Sequence, residues 1–362
     1  MRAQRHRLPI TLVISALFIT AAPPTVAGAA SGADPCRDVE VPVAVNGMSP
    51  ASIHGVFCVP PGANPDTVHI LVHGGTYNGS YWDFAYQPGT YSYARHADHF
   101  AALTYDRIGY GRSSRPPSNE ITGQAQADVL HQLVKAVRAG VFGGRTFSTV
   151  VLVGHSLGSG IALMEAATYG DVDGVVLTGI THHISPESMQ DTYFNHLYPA
   201  NEDPKFAGRG FDRGYLTTRP GARRLFYDPR HLDPAVLAAD EASKDVVSST
   251  EIFDIVSLAF FSPMSRRILV PVLMVVGSDD FLFCRSAGSS DCSSSAALTA
   301  QEMPYFAPEA HFQAVVVDGV GHDVTLHTVS PQVRVLVLSW IERFVANPIK
   351  RGRGQSANGG NR

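Results

Sequence analysis

Short runs of apolar residues recur along the chain, and each run is bounded by glycine, proline or polar residues. Runs of this kind occupy positions 68–72, 101–105, 150–153, 172–180, 270–276 and 314–317. An apolar run without alternation is typical of a parallel strand that is covered on both faces. The pattern therefore predicts a mostly parallel sheet buried inside the molecule.

Apolar positions at helical spacing lie between several of these strands. They run from 129 to 137, where Gly140 stops the helix, and a second helix is predicted near 93–100. A last helix begins after Ser330, with Pro331 in its first turn. Strands that alternate with helices predict an α/β fold with a doubly wound sheet, whose ligands bind at the carboxyl ends of the strands.

The beginning of the folded part departs from this alternation. Two strand candidates, 39–45 and 53–59, are separated by Asn46-Gly47, which is a strong turn dipeptide. They predict an antiparallel hairpin at the edge of the sheet.

The alternation also stops between 181 and 267, where no buried strand is predicted. Polar, aromatic and proline-rich sequence there surrounds short helical patches such as 234–242 and 252–261. A structureless loop of this length is uncommon in a compact domain, and its many aromatic residues need burial, which argues against a disordered insert. We expect a helical cap inserted after a central strand, on a core formed by 36–180 and 268–346.

The composition fits one large domain with an insertion better than two ordinary domains. Of the 362 residues, 44% are hydrophobic and 17% are charged, which allows a substantial core. The formal net charge is −4, and the folded part contains no basic block. Neither nucleic acid nor an anionic membrane is therefore expected as a partner.

The two ends are expected to lie outside the folded domain. Basic residues precede an apolar run at 10–22, and small residues at 27–29 form a cleavage site. That run is shorter than the roughly 20 residues that cross a bilayer. Residues 1–29 therefore predict a secretory signal peptide and an exported protein without stable membrane insertion, and the tail at 347–362 is predicted to be disordered.

Four cysteines follow the cleavage site: Cys36, Cys58, Cys284 and Cys292. An even number in an exported chain predicts two disulfides, with buried free thiols as the alternative. Three pairings are possible. We expect Cys36 to pair with Cys58 and Cys284 with Cys292, because each pair brackets a short segment.

A Gly-x-Ser-x-Gly sequence at 154–158 follows the strand at 150–153. Its glycines allow a sharp reversal from strand to helix, and this reversal lifts the Ser156 hydroxyl above the sheet. The small residues that follow let the next helix pack closely. Ser156 is therefore the candidate nucleophile.

Along the chain, Ser156, an acidic pair and His322 follow three different strands. The sequence resembles the α/β-hydrolase fold family over essentially the whole mature chain. The matching pieces are His73-Gly74-Gly75, Asp106-Arg107-x-Gly109-x-Gly111-x-Ser113, Gly154-His155-Ser156-Leu157-Gly158, Gly277-x-x-Asp280 and Gly321-His322-Asp323.

The resemblance implies acyl transfer through a covalent intermediate. Ser156 would attack, His322 would take its proton, and a carboxylate would hold the imidazole in the right tautomer. The family's pattern places the acid three residues after Gly277, which favours Asp280. Asp279 would then be a turn residue that accepts hydrogen bonds from nearby backbone N–H groups.

The resemblance also implies two backbone donors for the oxyanion of the tetrahedral intermediate. One is the N–H of Leu157, and the other is the N–H of Gly75 or Thr76. His73 is expected to shape the loop that carries Gly75 and Thr76.

Other polar residues have a structural interpretation. The side chain of His155 is expected to point away from Ser156, and Asp106 and Arg107 are expected to form a turn. His182 and His183 are expected at the base of the cap, although they are also candidates for the pocket lining. No histidine pair has the setting of a zinc site, and we expect neither a metal nor a cofactor.

Taken together, the sequence predicts a secreted serine hydrolase that cleaves an ester of a modest-sized hydrophobic or aromatic substrate. The small-molecule acyl substrate is the expected partner. Thioesterase, lactonase, acyltransferase, peptidase and lyase activities use similar residues in this family. A ligand-binding protein without catalytic activity is the alternative from another class.

Overall fold

Eight strands form the central sheet of the computed structural model, which describes residues 34–45, 48–257 and 263–346. The predicted signal peptide at 1–29, the predicted tail at 347–362 and the predicted turn Asn46-Gly47 lie outside the described residues. No helix within the described ranges is long and apolar enough to cross a membrane.

The described residues contribute eleven strands. They are β1 (Cys36–Val45), β2 (Met48–Cys58), β3 (Thr67–Val72), β4 (Ala101–Tyr105), β5 (Thr149–His155), β6 (Gly174–Thr178), β7 (Leu197–Pro199), β8 (Tyr215–Thr218), β9 (Val247–Ser248), β10 (Val272–Gly277) and β11 (Gln313–Val317). The order in the central sheet is β1-β2-β4-β3-β5-β6-β10-β11. From β4 to β11 all neighbours are parallel, whereas β1 pairs antiparallel with β2 and β2 with β4. The predicted α/β sheet with an antiparallel edge hairpin is confirmed.

The helices are α1 (Pro88–Tyr91), α2 (Gly123–Arg138), α3 (Leu157–Tyr169), α4 (Pro186–Asp191), α5 (Pro234–Ser243), α6 (Ser249–Ile255), α7 (Ser295–Glu302) and α8 (Ser330–Ile341). The helix predicted near 93–100 is wrong, because only a single 3-10 turn forms there, at Ala94–His96. Asp98 adopts a left-handed conformation with φ 56°, which interrupts helical backbone. The apolar spacing at 93–100 reflects burial around a turn.

Consecutive strand residues pack on opposite faces of the sheet. Ile70 and Leu152 belong to one core cluster with residues of α2 and α3, whereas Leu71 and Val153 belong to another with Trp340 of α8. The period of two in a strand puts neighbouring side chains on different faces. Both faces of the central strands are therefore buried, which explains their uninterrupted apolar sequence.

The segment between β6 and β10, called the inserted segment below, contains α4, α5 and α6, and also three short strands. The patch predicted at 234–242 corresponds to α5, and the one at 252–261 begins in α6 and continues outside the described residues. The strands β7, β8 and β9 form a separate antiparallel sheet that the sequence did not predict. Strands of two to four residues are too short to give a recognisable periodic pattern.

Two disulfides join neighbouring cysteines in sequence, as predicted. Cys36 pairs with Cys58 at opposite positions of the β1–β2 ladder, and Cys284 pairs with Cys292 in the loop after β10.

Candidate active site

Ser156 lies on a tight turn between β5 and α3. Its backbone has φ 52° and ψ −122°, a combination that non-glycine residues rarely adopt. A Cβ on Gly154 would lie 2.5 Å from Ser159 Cα, and one on Gly158 would collide with the Val72 carbonyl oxygen. Only glycine fits at these positions, so the sequence forces the turn and leaves Ser156 partly exposed at the carboxyl end of β5.

The structure brings Ser156, His322 and Asp280 together, although they follow three different strands. His322 Nε2 lies 2.9 Å from Ser156 Oγ, and His322 Nδ1 lies 2.8 Å from Asp280 Oδ2. Asp280 Oδ1 accepts hydrogen bonds from the backbone N–H of Leu282 at 3.0 Å and of Phe283 at 3.3 Å. The Asp280 carboxylate therefore fixes the imidazole with Nε2 facing the serine hydroxyl, which leaves Nε2 free to accept a proton.

The imidazole of His322 is buried among aromatic rings. The rings of Phe226, Phe281 and Phe283 lie 5.7, 6.1 and 5.9 Å from it. Burial lowers the pKa of His322, but the charge and the hydrogen bond of Asp280 offset this, so that the pKa lies above its ordinary value of 6.5. The carboxylate thus stabilises the protonated form that arises when His322 takes a proton.

The partners of Asp279 do not include His322. Asp279 forms an ion pair with the Arg230 guanidinium and accepts a hydrogen bond from the Ser278 hydroxyl at 2.6 Å. The prediction that Asp279 serves backbone N–H groups is wrong, because Arg230 of the inserted segment supplies its partner. Asp279 lies in the turn that follows β10, as predicted, and its partners differ from those of Asp280.

Of the three backbone N–H groups predicted as oxyanion donors, one already has a hydrogen-bond partner in the described part of the chain and two do not. The N–H of Thr76 donates to the Val246 carbonyl at 3.0 Å, which favours Gly75 over Thr76 as the second donor. The N–H groups of Gly75 and Leu157 have no hydrogen-bond partner among the described residues. Gly75 and Leu157 are therefore the two candidates for an oxyanion hole.

A cavity of about 470 Å³ opens next to Ser156 and His322. Its walls come from the core and from the inserted segment, and they are mainly apolar and aromatic. The lining includes Leu157, Ile184, Met189, Tyr193, Phe194, Phe226, Ile252, Phe253, Val256 and Phe283. A pocket of this size and composition suits a small hydrophobic or aromatic group.

Three of the other histidines lie outside the cavity. His73 is buried and bonded to the Gly74 carbonyl at 2.9 Å and to the Arg107 N–H at 3.1 Å, so it shapes the loop after β3. His182 and His183 both contact Glu302, at 2.6 and 3.1 Å, and neither lines the cavity.

The Asp106 and Arg107 turn is structural. Asp106 accepts hydrogen bonds from the N–H groups of Gly79 at 2.8 Å and Arg112 at 2.9 Å. Arg107 forms a fully buried ion pair with Glu251 of α6, which attaches the inserted segment to the core.

Sequence reasoning missed a buried polar network behind the site. His155 points away from the cavity, as predicted, and contacts Asp323, which also accepts a hydrogen bond from the Tyr77 hydroxyl. The Tyr77 hydroxyl also lies 3.3 Å from Asp240 Oδ2 of α5, and Asp240 Oδ1 forms an ion pair with the Arg223 guanidinium at 2.7 Å. In the sequence, only His155 and Asp323 stand out, because each is the direct neighbour of a predicted catalytic residue.

Comparisons with known proteins concern the family and the fold. The model of the alpha/beta hydrolase family matches residues 70–335. No curated protein matches the sequence significantly.

Several solved structures share the fold at low identity. The alpha/beta hydrolase GrgF from Penicillium sp. sh18 is 17% identical, with a TM-score of 0.57 over 86% of this chain and 99% of its own. A thermophilic esterase from Thermogutta terrifontis is 18% identical, with a TM-score of 0.53 over 85% of this chain and 99% of its own. The enol-lactonase from Burkholderia xenovorans LB400 is 17% identical, with a TM-score of 0.53 over 84% of this chain and 99% of its own. Similarity at these identities concerns the fold alone.

Proposed function

The chain belongs to the alpha/beta hydrolase family, and on that premise we propose that it is an exported serine hydrolase that cleaves carboxylic esters of modest-sized hydrophobic or aromatic groups. One observation carries the proposal. A serine hydroxyl on the strained turn after β5 lies 2.9 Å from a histidine nitrogen, and the other nitrogen of that histidine lies 2.8 Å from a buried carboxylate. This is the arrangement that activates a serine for nucleophilic attack.

The reaction follows from the positions of these groups. Ser156 Oγ attacks the ester carbonyl carbon while its proton passes to His322 Nε2, and the Asp280 carboxylate stabilises the resulting imidazolium. The oxyanion is placed to receive hydrogen bonds from the N–H groups of Gly75 and Leu157. His322 then gives its proton to the leaving alkoxide, which departs as the alcohol and leaves an acyl group on Ser156.

Hydrolysis of that acyl group completes the cycle. A water molecule attacks the acyl carbonyl, and His322 takes its proton as it took the proton of Ser156. Collapse of the second tetrahedral intermediate releases the carboxylic acid and returns the proton to Ser156 Oγ.

The substrate class rests on the cavity. Burial of apolar surface in the cavity of about 470 Å³ would bind the hydrophobic groups of an ester. Aromatic rings such as Phe226 and Phe253 favour flat or branched hydrophobic groups. Among the described residues, the cavity lining contains no Asp, Glu, Lys or Arg, and the one lining histidine, His322, takes part in the proposed reaction. The site therefore offers little to bind a strongly charged acyl group.

Export is supported by the two disulfides, because such bonds persist in oxidising compartments.

The esterase from Thermogutta terrifontis and the enol-lactonase from Burkholderia xenovorans LB400 both act, by their names, on ester bonds, open or cyclic. Lactones are thus the second substrate class to consider, ahead of thioesters and amides.

The proposal is tested by labelling the protein with an organophosphonate and locating the adduct by mass spectrometry. We expect the adduct on Ser156, and we expect turnover of aryl esters to be lost in Ser156→Ala. Ser188→Ala is the matched control, because this hydroxyl on α4 is bonded to the Ser286 hydroxyl at 2.7 Å and takes no part in the site. Labelling of another serine, or undiminished turnover in Ser156→Ala, would exclude the mechanism.

A substrate panel then separates the remaining activities. Esters of graded size, lactones, thioesters and amides are compared by kcat/KM, with an added alcohol acceptor to detect acyl transfer. If none of these substrates is turned over while hydrophobic esters still bind, the protein is a ligand-binding member of the family.

A further inference from the structure

A second cluster of polar side chains lies between α2 and α3, outside the cavity. It consists of His131 from α2, Glu165 from α3 and Asp171 just after α3, and none of the three lines the cavity at Ser156. One nitrogen or oxygen atom from each residue lies within 4.8 Å of the other two. Nothing in the proposed reaction uses these groups.

The spacing of the three atoms is close to that of metal ligands. His131 Nδ1 lies 2.9 Å from Asp171 Oδ2 and 3.6 Å from Glu165 Oε1. Ligands bound tetrahedrally at about 2.1 Å from a zinc ion are separated by about 3.4 Å. Small side-chain adjustments therefore place all three atoms around one ion.

Glu165 makes the cluster different from an ordinary group of surface acids. Its side chain is fully buried, and neither carboxylate oxygen has a hydrogen-bond partner among the described residues. A buried carboxyl group without a donor is costly, and a bound cation would remove that cost.

The guanidinium nearby does not supply this positive charge. Arg138 donates to the Asp173 carboxylate at 2.7 Å and to the backbone carbonyl of Asp171 at 2.7 Å. The Arg138 guanidinium therefore donates no hydrogen bond to the Glu165 carboxyl group.

The imidazole of His131 is also held in place. Its ring stacks on Tyr169 with a centroid distance of 3.7 Å and an interplanar angle of 6°. The Tyr169 hydroxyl in turn donates to Asp128 at 2.6 Å. Such support keeps Nδ1 directed toward Glu165 and Asp171, as outer partners do for ligands of metal sites.

We propose that His131, Glu165 and Asp171 bind one divalent transition-metal ion, with Zn²⁺ as the ion that best fits one imidazole and two carboxylates. The side chains of His131 and Asp171 are 23% and 28% exposed, which leaves a path for the ion and room for water as a further ligand. Ca²⁺ and Mg²⁺ prefer ligand sets made of oxygen alone, so an imidazole ligand disfavours them. The three ligands come from separate elements and form no sequence motif.

The ion would act on stability rather than on turnover. It would join α2 to the carboxyl end of α3, the helix that begins directly after Ser156. Binding to the folded protein alone stabilises it in proportion to the logarithm of the metal concentration.

The test is calorimetric titration of ZnCl₂ into the full chain after treatment with a chelator. We expect one zinc ion per chain at this site, and we expect Glu165→Gln and His131→Gln each to weaken that binding by more than about tenfold. Glu187→Gln is the matched control, because it makes the same change on an exposed residue of α4 and should leave binding unaltered.

Thermal unfolding gives a readout that does not depend on the heat of binding. Zn²⁺ should raise the Tm of the wild type and of Glu187→Gln, but not of Glu165→Gln, while the same concentration of Mg²⁺ should raise none of them. Glu165→Gln should retain the ester turnover of the wild type. Absence of zinc binding, or zinc binding of equal strength in the wild type and Glu165→Gln, would overturn the proposal.

Discussion

Asp323 Oδ1 lies 3.0 Å from His155 Nε2, and both side chains are fully buried. Asp323 follows His322 in the chain, and His155 precedes Ser156. This contact therefore joins the two turns that present the base and the nucleophile, from the side that faces away from the cavity. The other Asp323 oxygen accepts a hydrogen bond from the Tyr77 hydroxyl.

The first prediction concerns this contact. Asp323→Asn should lower the free energy of unfolding by about 1–3 kcal/mol, because an amide cannot accept hydrogen bonds on both sides and leaves one buried donor without a partner. Asp318→Asn is the control, since its side chain is 91% exposed and its loss should change stability by no more than about 0.5 kcal/mol. Urea unfolding of the two variants gives the comparison, and equal midpoints would contradict a bridging role for Asp323.

The second prediction concerns pH. Burial lowers the pKa of His322. The charge and the hydrogen bond of Asp280, together with the charge of Asp323, outweigh this effect, so the net pKa lies above 6.5. The base must be neutral to accept a proton, so kcat/KM should be low in acid and should rise as the pH passes upward through that pKa. The pH profile of kcat/KM on a neutral aryl ester reports this value for the free enzyme.

The same prediction has an internal control. Asp280→Asn removes the carboxylate that raises the pKa and leaves the burial that lowers it, so the His322 pKa should move down. NMR titration of His322 in both proteins would show the direction. An unchanged pKa would mean that Asp280 is not the main partner of His322.

The third prediction separates the two neighbouring aspartates. Asp280→Asn should reduce kcat on the order of 10⁴-fold, because the amide favours the wrong imidazole tautomer. Asp279→Asn should have a small effect, since it weakens a partly exposed contact with Arg230 that does not involve the imidazole. Steady-state kinetics with circular dichroism as a check of folding would decide, and the reverse order of effects would assign the role to Asp279.

The parallel sheet was predictable because its strands are buried on both faces. Runs such as Val150 to Val153 have no polar position, and this leaves few alternatives to a central strand. The glycines around Ser156 were equally informative, since a side chain at Gly154 or Gly158 would meet backbone atoms. Local sequence therefore defined the nucleophile turn without knowledge of its surroundings.

Features that depend on distant contacts were not predictable. By sequence, the N–H of Thr76 is as good an oxyanion donor as that of Gly75, but the inserted segment places the Val246 carbonyl 3.0 Å from it. The turn at Asp279 is predictable, but its ion-pair partner, Arg230, is remote in sequence. In each case a residue of the segment between β6 and β10 decided the outcome, and the fold of that segment has no strong periodic signal.

The last prediction uses the two disulfides, which close loops of different length in different places. Replacing both Cys36 and Cys58 by serine should lower the free energy of unfolding by about 3 kcal/mol, because 22 positions separate the pair. The turnover of esters should be unaffected, since this bond joins two strands at the sheet edge, away from the cavity.

Replacing both Cys284 and Cys292 by serine should act mainly on the site. Only 8 positions separate the pair, so the loss of stability should be no more than about 2–3 kcal/mol. The bridged loop, however, returns to the site through Ser290, whose N–H donates to the Phe283 carbonyl at 2.8 Å, and the Phe283 ring lines the cavity and stacks near His322 at 5.9 Å. We therefore expect a fall in kcat/KM that is larger for bulky esters than for small ones. Urea unfolding and ester kinetics of the two double variants under non-reducing conditions provide the measurement. If both double variants lose stability but keep the kcat/KM of the wild type for all esters, the loop after β10 does not position Phe283.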